Sequence, residues 1–329
     1  MYSPFSNVYG LARTLLALGT LLTLWTSSGD SLFRPLGRSA AEAGYLSGIN
    51  HYGLFTLLAP RYELARWLAI AVLAVVASGW RPRFTGVLHW WVSASLFSAI
   101  IPQDGGDQCT TVLTLLLIPV TLSDPRAWHW SSIERRDDAI GLILARVASS
   151  SLFMVRVQVA ILYLHAAVGK AAVTEWVNGT ALYYWLMDPR IGLPTRYQDL
   201  GLAVLEPIWA TPLITWSPMV LEYCLFLSLG MARQNPLRRY LLWAGLGFHL
   251  GNLLLFGLVS FVFAMSAALI LLLRPVEQPF VLPFVKTRLS RLYGIFRGQQ
   301  GFRTGLGQAS GWVGRPSTSN HETAREKGG

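Results

Sequence analysis

An apolar stretch near the middle of the chain carries four side chains suited to chemistry. It runs over residues 150–173, SSLFMVRVQVAILYLHAAVGKAAV, and contains Arg156, Tyr163, His165 and Lys170. Lys170 is the first of the chain's three lysines, and the other two lie in a polar C-terminal tail. Ionisable groups in an apolar segment of membrane length are expensive and usually face a bundle interior, where they mark a working site. We therefore expect the chemistry of this protein to centre on this stretch.

The spacing of these side chains predicts that they share one face of a helix. Arg156, Tyr163 and Lys170 are seven residues apart, and a helix drifts by only about 20° over seven residues. Such a stripe disfavours lipid and is expected to point into a cavity or toward acidic partners. Gln158 and His165 form a second pair, rotated by roughly 160°, so the helix is expected to contact protein on two sides. Lys170 itself has two interpretations: a desolvated amine that acts as a base, or a lysine that snorkels to the interface.

Acidic residues stand beside or within other apolar runs. Asp104 and Asp107 belong to the sequence DGGD between two such runs, where two carboxylates either hold a cation or form a turn in which Asp107 caps the following helix. Glu222 lies inside SPMVLEYCLFL. A buried carboxylate needs a partner, and Arg156, Arg146 and Arg13 are the candidates.

One further apolar run carries His249 and, three residues later, Asn252. In a membrane interior this pair either binds a polar group of a ligand or relays a proton. The alternative is a hydrogen bond that ties two helices together. Neither interpretation needs a metal, and no metal site is expected.

The composition is that of a membrane protein. Hydrophobic residues make up 53% of the 329 residues and charged residues only 13%, against about 25% charged residues in soluble domains. The net charge of +10 does not form one basic face, which argues against nucleic-acid binding. The two cysteines have no CxxC spacing, so neither a zinc site nor a disulfide framework follows.

Apolar runs predict an all-α, polytopic integral membrane helical bundle of about eight transmembrane helices. The predicted spans are roughly 8–26, 62–80, 84–101, 109–123, 150–172, 212–231, 239–257 and 258–274. Pro119 is expected to tilt or kink the fourth span, residues 139–149 are a candidate interfacial helix that continues into the fifth span, and the seventh and eighth spans run together around Gly257. The first run is interpreted as a retained span rather than a cleaved signal.

The distribution of arginine and lysine predicts the orientation of the bundle. With the N-terminus inside, 17 of them fall in cytoplasmic segments and 5 in outer loops, a strong positive-inside bias. Both termini are thus predicted to be cytoplasmic, with Lys170 toward the outer face. Residues 1–274 form the predicted transmembrane domain, 275–310 a basic amphipathic cytoplasmic segment and 311–329 a disordered polar tail.

Several of these motifs resemble a known family. Residues 163–179, YLHAAVGKAAVTEWVNG, resemble the membrane core of vitamin K-dependent γ-carboxylase and its bacterial relatives, the horizontally transferred transmembrane (HTTM) family. GGD at 105–107 and FHLGNLLLF at 248–256 are similar to that family as well. More narrowly, NVYGLARTLLALGTLLTL at 7–24 and the block 104–130 resemble the sporulation-delaying protein B (SdpB) family. The resemblance covers about residues 7–274.

The resemblance carries expectations about function. In the carboxylases the matching lysine deprotonates vitamin K hydroquinone, which implies Lys170 as a catalytic base, His249 as a site residue and a quinone or hydroquinone as cofactor. The SdpB resemblance implies a protein of the bacterial cell (inner) membrane that works with a small SdpA-like partner protein and a secreted peptide precursor in the maturation or export of a peptide toxin. The alternatives are a quinone-dependent oxygenase or carboxylase-like enzyme, and a non-catalytic scaffold or immunity protein. The predicted site residues are Lys170 and His249 as catalytic groups and Arg156, Tyr163, His165, Glu222, Asn252, Asp104 and Asp107 as substrate-binding or cavity-lining groups.

Overall fold

Helices form the regular secondary structure of the chain. The computed structural model describes residues 3–33, 51–100, 104–131, 138–190 and 192–280. The predicted tail from residue 281 onward lies outside the described residues, as do parts of the loops counted for the orientation. The α-helices of the described ranges are α1 (Asn7–Thr26), α2 (Gly29–Leu32), α3 (Leu54–Leu57), α4 (Tyr62–Ser78), α5 (Pro82–Ala99), α6 (Gly105–Ser123), α7 (Ala139–Ala171), α8 (Thr174–Val177), α9 (Ala181–Met187), α10 (Thr195–Leu205), α11 (Ala210–Leu227), α12 (Leu237–Phe256) and α13 (Val259–Leu273).

A helix lies at each of the eight positions predicted for a span. Four of them are long and apolar enough to cross a membrane, namely α1, α6, α7 and α11 together with the 3-10 turn that follows it. Helix α13 is apolar but has only 15 residues, about 22 Å of helix. The all-helical prediction is confirmed, whereas length and composition support four of the eight predicted spans.

Helix α6 begins earlier than predicted because Asp104 caps it. The side chain of Asp104 accepts a hydrogen bond from the backbone N–H of Asp107 at 2.8 Å, the geometry of an N-cap residue. The predicted start near residue 109 and the prediction of Asp107 as the cap are therefore wrong. Asp107 lies instead in the first turn of α6, where it is buried, and the helix continues through Pro119 to Ser123.

Helix α7 is longer than the predicted fifth span. It has 33 residues, which extend roughly 50 Å at 1.5 Å per residue, well beyond the ~30 Å apolar thickness of a bilayer. Residues 139–149, the candidate interfacial segment, are continuous with the rest of α7 as one helix. The physical reason is that the junction around residue 150 contains neither proline nor glycine to interrupt the hydrogen bonds.

The boundary at Gly257 is confirmed. Gly257 has a left-handed backbone conformation with φ of 69°, which glycine adopts without steric penalty. Its N–H donates to the carbonyl of Leu253 at 2.9 Å and closes α12. Two residues later α13 begins, so the chain reverses within a very short turn.

Helix α13 lies at the centre of the bundle. It packs against α1, α6, α7 and α12, and most of its residues from Ala264 to Leu273 are buried. Around it, α4 packs on α1, α5 packs on α6, and α7 contacts both α6 and α11. This arrangement brings α7, α11 and α12 around one end of α13.

A polar cluster ties the start of α1 to the segment after α6. The hydroxyl of Tyr9 donates to Asp124 at 2.5 Å, and the guanidinium of Arg126 donates to the same carboxylate at 2.7 Å. His129 lies beside them, and its burial, together with the positive charges of Arg13 and Arg126, lowers its pKa to about 2. The imidazole is therefore neutral, which suits its packing among these cations.

Substitution of Gly106 by alanine is expected to destabilise the bundle. A Cβ atom at Gly106 would lie 2.6 Å from the backbone N and Cα of Phe261 in α13, and backbone atoms of a packed helix move only at a cost. Overpacking of this kind costs about 1–3 kcal/mol. We expect Gly106→Ala to lower the midpoint of thermal unfolding in detergent by several degrees.

Gly105→Ala provides the matched control in the same helical turn. A Cβ atom there meets only side-chain atoms of Phe261, the nearest at 3.3 Å. The control is expected to unfold at or slightly above the wild-type temperature, since alanine is the better helix former. Equal midpoints for the two variants would contradict the close contact between α6 and α13.

Candidate functional site

A cavity of about 420 Å³ lies between α7, α11 and α12. Its wall is completed by the start of α6, by α13 and by the short helices α8 and α9. Most of the predicted site residues line it. They are Tyr163, His165, Lys170, Glu222, His249 and Asn252.

An ion pair between Lys170 and Glu222 is the main polar feature of the cavity. The Nζ atom of Lys170, in the last turn of α7, lies 2.6 and 2.8 Å from the two carboxylate oxygens of Glu222 in α11. The side chain of Glu222 is 5% exposed and that of Lys170 is 22% exposed, so both are withdrawn from solvent. The prediction that Arg156, Arg146 or Arg13 pairs with Glu222 is wrong, and the partner is the lysine.

Trp176 completes the surroundings of the lysine. Its ring centroid lies 5.4 Å from the Nζ atom of Lys170, within the range of a cation–π contact. The same ammonium group is 3.5 Å from the carbonyl oxygen of Ala166. Lys170 is therefore held on three sides and is not a lysine extended freely toward the interface.

A second polar pair connects α7 to α12. The hydroxyl of Tyr163 and the Nε2 atom of His249 are 3.0 Å apart, and which of them donates depends on the imidazole tautomer. Both side chains are only 1% exposed. The other ring nitrogen of His249, Nδ1, is buried and has no hydrogen-bond partner among the described residues. A buried polar atom of this kind is where a ligand's polar group gains most from binding.

Helical spacing explains why these residues converge. Tyr163 and Lys170 are two turns apart on α7, so both belong to the face that meets α11 and α12. On α12, His249, Asn252 and Phe256 follow at intervals of three and four residues and line one side of the helix. The site is thus built on rigid helices.

The two aspartates of the predicted acidic turn lie near the cavity without lining it. Gly105 and Gln108 belong to the wall, whereas Asp104 caps α6 and accepts a hydrogen bond from the hydroxyl of Ser260. Asp107 is buried next to this cap. Among the described residues, no group of three or more His, Cys, Asp and Glu side chains is arranged to hold a metal ion. Through the hydrogen bond from Ser260, Asp104 therefore secures the contact of α6 with α13.

Arg156 lies away from this cavity. It is 14 residues before Lys170 on the same helix, about 21 Å along the axis. There it lines a second cavity with Arg146, Arg233, Arg238 and Arg274. The stripe of Arg156, Tyr163 and Lys170 therefore divides between two separate sites. The second predicted pair, Gln158 and His165, borders a groove of about 360 Å³ between α6 and α7.

Aromatic side chains form much of the wall, and sequence reasoning missed them. Tryptophans near the ends of apolar runs are typical of membrane-interface residues, but Trp176 and Trp185 both line the cavity. Phe248, Phe256 and Phe261 join them. The helical spacing of Phe248, His249, Asn252 and Phe256, which places all four on one side of α12, is the sequence signal that would have identified the two phenylalanines. The site thus combines an ion pair and a buried imidazole with flat apolar surfaces.

Comparisons with known proteins identify the family. The HTTM domain model matches residues 111–276, a range that includes Lys170, Glu222 and His249. The chain is 38% identical to the uncharacterized protein YitO of Bacillus subtilis, over 87% of this chain and 91% of that protein. It is 34% identical to the sporulation-delaying protein SdpB of the same organism, over 92% of this chain and 91% of SdpB. No solved structure matches. The chain therefore belongs to the SdpB family of HTTM-domain membrane proteins.

Proposed function

We propose that this SdpB-type membrane protein uses the cavity around Lys170 and Glu222 in the maturation or export of a secreted peptide toxin. The observation that carries the proposal is the ion pair itself, two opposite charges held 2.6 Å apart on the wall of a cavity large enough for a ligand. Ionisable side chains inside an apolar helical bundle are rare and commonly mark a binding or transport site. The precursor peptide and a small SdpA-like protein are the proposed partners.

The proposal includes a location in the bacterial cell (inner) membrane, with both termini of the protein in the cytoplasm. Eight spans, the predicted number, give an even count of crossings and leave the termini on one side. The cavity is bordered by the start of α6, by Trp176 after α7 and by Leu258 between α12 and α13, all of which then belong to the outer end of the bundle. A peptide precursor crossing the membrane would reach the cavity from that side.

The ion pair suggests how the site handles a peptide. The ammonium group of Lys170 and the carboxylate of Glu222 are each other's partners, so a substrate that binds here has to compete with this pair. A substrate carboxylate or carbonyl would compete with Glu222 for the ammonium group, and a substrate amine or amide would donate to Glu222. His249, with its unpartnered Nδ1, supplies a third polar contact. The cavity thus offers both signs of charge to a peptide backbone.

The second candidate is a quinone-dependent oxygenase or carboxylase-like enzyme in which Lys170 is the base. Its support is the aromatic wall of Trp176, Trp185 and Phe261, because flat rings stack on aromatic side chains. Lys170 and His249 on the same wall would be the polar groups available to the oxygens of such a ring. When bound, a hydroquinone would supply the reducing equivalents for oxygenation, and the residues of this chain would orient it, exclude water and accept its proton.

Substitution of Lys170 is expected to abolish production of the mature peptide. Lys170→Arg keeps the charge but does not supply a neutral amine at neutral pH, and Lys170→Ala removes the group. The measurement is mass spectrometry of peptides in culture supernatants from cells that express each variant with its neighbouring genes, at matched membrane abundance. We expect mature peptide to vanish in both variants, and the mass of the remaining species to identify the missing step.

Exchanging the charges of Lys170 and Glu222 distinguishes a role in processing the peptide from a role in holding α7 against α11. Either single change, Lys170→Glu or Glu222→Lys, leaves like charges together and is expected to lower stability by about 3–5 kcal/mol. The double variant restores an ion pair of opposite polarity and most of that stability in thermal unfolding. We expect it to remain without mature peptide, and a return of normal peptide would establish the scaffold or immunity role instead.

Removal of one hydroxyl tests the contact between Tyr163 and His249. Tyr163→Phe leaves Nε2 of His249 without its partner, which costs about 1–3 kcal/mol for a buried group. We expect a lower unfolding temperature and less mature peptide. Tyr223→Phe, on the exposed side of α11, is the control and should leave both unchanged. Wild-type peptide levels from Tyr163→Phe would remove this pair from the proposed site.

A further inference from the structure

A second cavity, of about 510 Å³, lies at the opposite end of α7 from Lys170. It is enclosed by the first half of α7, the turn after α11, the start of α12 and the chain that leaves α13. Its charged lining residues are five arginines and one glutamate. They are Arg146, Arg156, Arg233, Arg238, Arg274 and Glu277.

Three of these arginines have structural partners, and Arg274 donates to the carbonyl oxygen of Gln278 at 3.3 Å. Arg238 is 4% exposed and donates to the carbonyl oxygens of Leu272, Leu273 and Ser228, so it closes the last turn of α13. Arg233 forms an ion pair with Glu277, the acidic residue of this lining. Because Glu277 is already engaged by Arg233, neither Arg146 nor Arg156 forms an ion pair with a carboxylate of the described residues.

Arg156 supplies the observation that points to a ligand. It lies on α7 six residues after Ser150. Its Nε atom is buried without a hydrogen-bond partner among the described residues. A guanidinium carries five N–H donors in a planar fork that matches phosphate oxygens. Arg146, one of the exposed side chains of α7, lines the same cavity at its rim.

Much of the remaining lining is apolar, which favours a phosphate group attached to an apolar chain over inorganic phosphate. Leu152, Phe153, Leu271 and Val276 belong to the wall. Phe153 is 50% exposed on a helix long enough to cross a membrane, so it is available to lipid. A cavity with arginines on one side and apolar side chains on the other suits an amphiphile and not a small inorganic ion.

We infer that this cavity binds the headgroup phosphate of an anionic phospholipid, with Arg146 and Arg156 as donors and Phe153 against the first carbons of an acyl chain. The hydroxyls of Ser149 and Ser150 line the same wall and add neutral donors. Basic pockets between membrane helices on the cytoplasmic side commonly hold such lipids. A bound lipid would fix α7 against the turns that follow α11 and α13.

The test is lipid retention by the purified full-length chain. Protein extracted in detergent is delipidated, mixed with phosphatidylglycerol or phosphatidylcholine, and examined by native mass spectrometry and thermal unfolding. We expect phosphatidylglycerol to bind and to raise the unfolding temperature more than phosphatidylcholine does. Arg146→Gln and Arg156→Gln should each weaken phosphatidylglycerol binding about tenfold, as expected for loss of a charge-assisted hydrogen bond.

Arg239→Gln provides the charge-matched control. Arg239 is exposed on α12 and does not line the cavity, so this variant should retain the lipid as the wild type does. Arg146 is also exposed, and its variant is expected to fold normally, which the unfolding temperature without lipid verifies. Equal weakening in Arg239→Gln, or none in Arg146→Gln and Arg156→Gln, would overturn the site.

A measurement with inorganic phosphate distinguishes a site for a lipid headgroup from a site for free phosphate. If inorganic phosphate raises the unfolding temperature as much as phosphatidylglycerol at equal concentration, the lipid assignment is wrong. No stabilisation by phosphate, with stabilisation by the lipid, supports it. The measurement involves no peptide and no substitution in the Lys170 cavity, so its result is independent of the proposed function.

Discussion

A lysine and a glutamate that hold each other 2.6 Å apart determine how α7 and α11 meet. Either charge alone in an apolar bundle is costly, because desolvation is compensated only by a close partner. The pair therefore fixes the rotation of both helices: a turn of either by one residue moves its charge about 100° away. Once this register is set, Tyr163 faces α12 and meets His249, and Pro218 joins Glu222 on the cavity wall. The shape of the site follows from one electrostatic requirement.

The other buried charges of the bundle are satisfied in a different way. Arg238 directs its donors at backbone carbonyls, and Asp124 accepts from both Tyr9 and Arg126. These networks close on themselves and hold neighbouring segments together. Lys170 and Glu222 satisfy each other but also form part of a cavity surface. Charges in a closed network have a structural role, whereas a pair that a ligand can reach is a candidate for a functional role.

The sequence predicted the helices well and their contacts poorly. Hydropathy and the positions of glycine located eight helices and the break at Gly257, because both depend on local composition. The start of α6 was missed because Asp104 is recognised as a cap only once the hydrogen bond from Asp107 is seen. The partner of Glu222 was missed for a more general reason. Pairing between residues 170 and 222 depends on the relative rotation of two helices, and apolar runs with few polar markers leave that rotation undetermined. Six predicted site residues nevertheless meet at one cavity, since spacing along a single helix is local information.

Helix α7 connects the two cavities of the bundle. It carries Lys170 and Tyr163 at one end and Arg156 at the other, and its 33 residues exceed what a membrane crossing requires. The additional turns at its N-terminal end bring Arg146 to the second cavity, which a helix limited to the predicted span would not reach. The same seven-residue spacing that aligns the three side chains on one face therefore serves two environments. Near Lys170 the face meets a carboxylate and aromatic rings, whereas near Arg156 it borders the cavity lined by other arginines. One helix thus contributes side chains to both cavities.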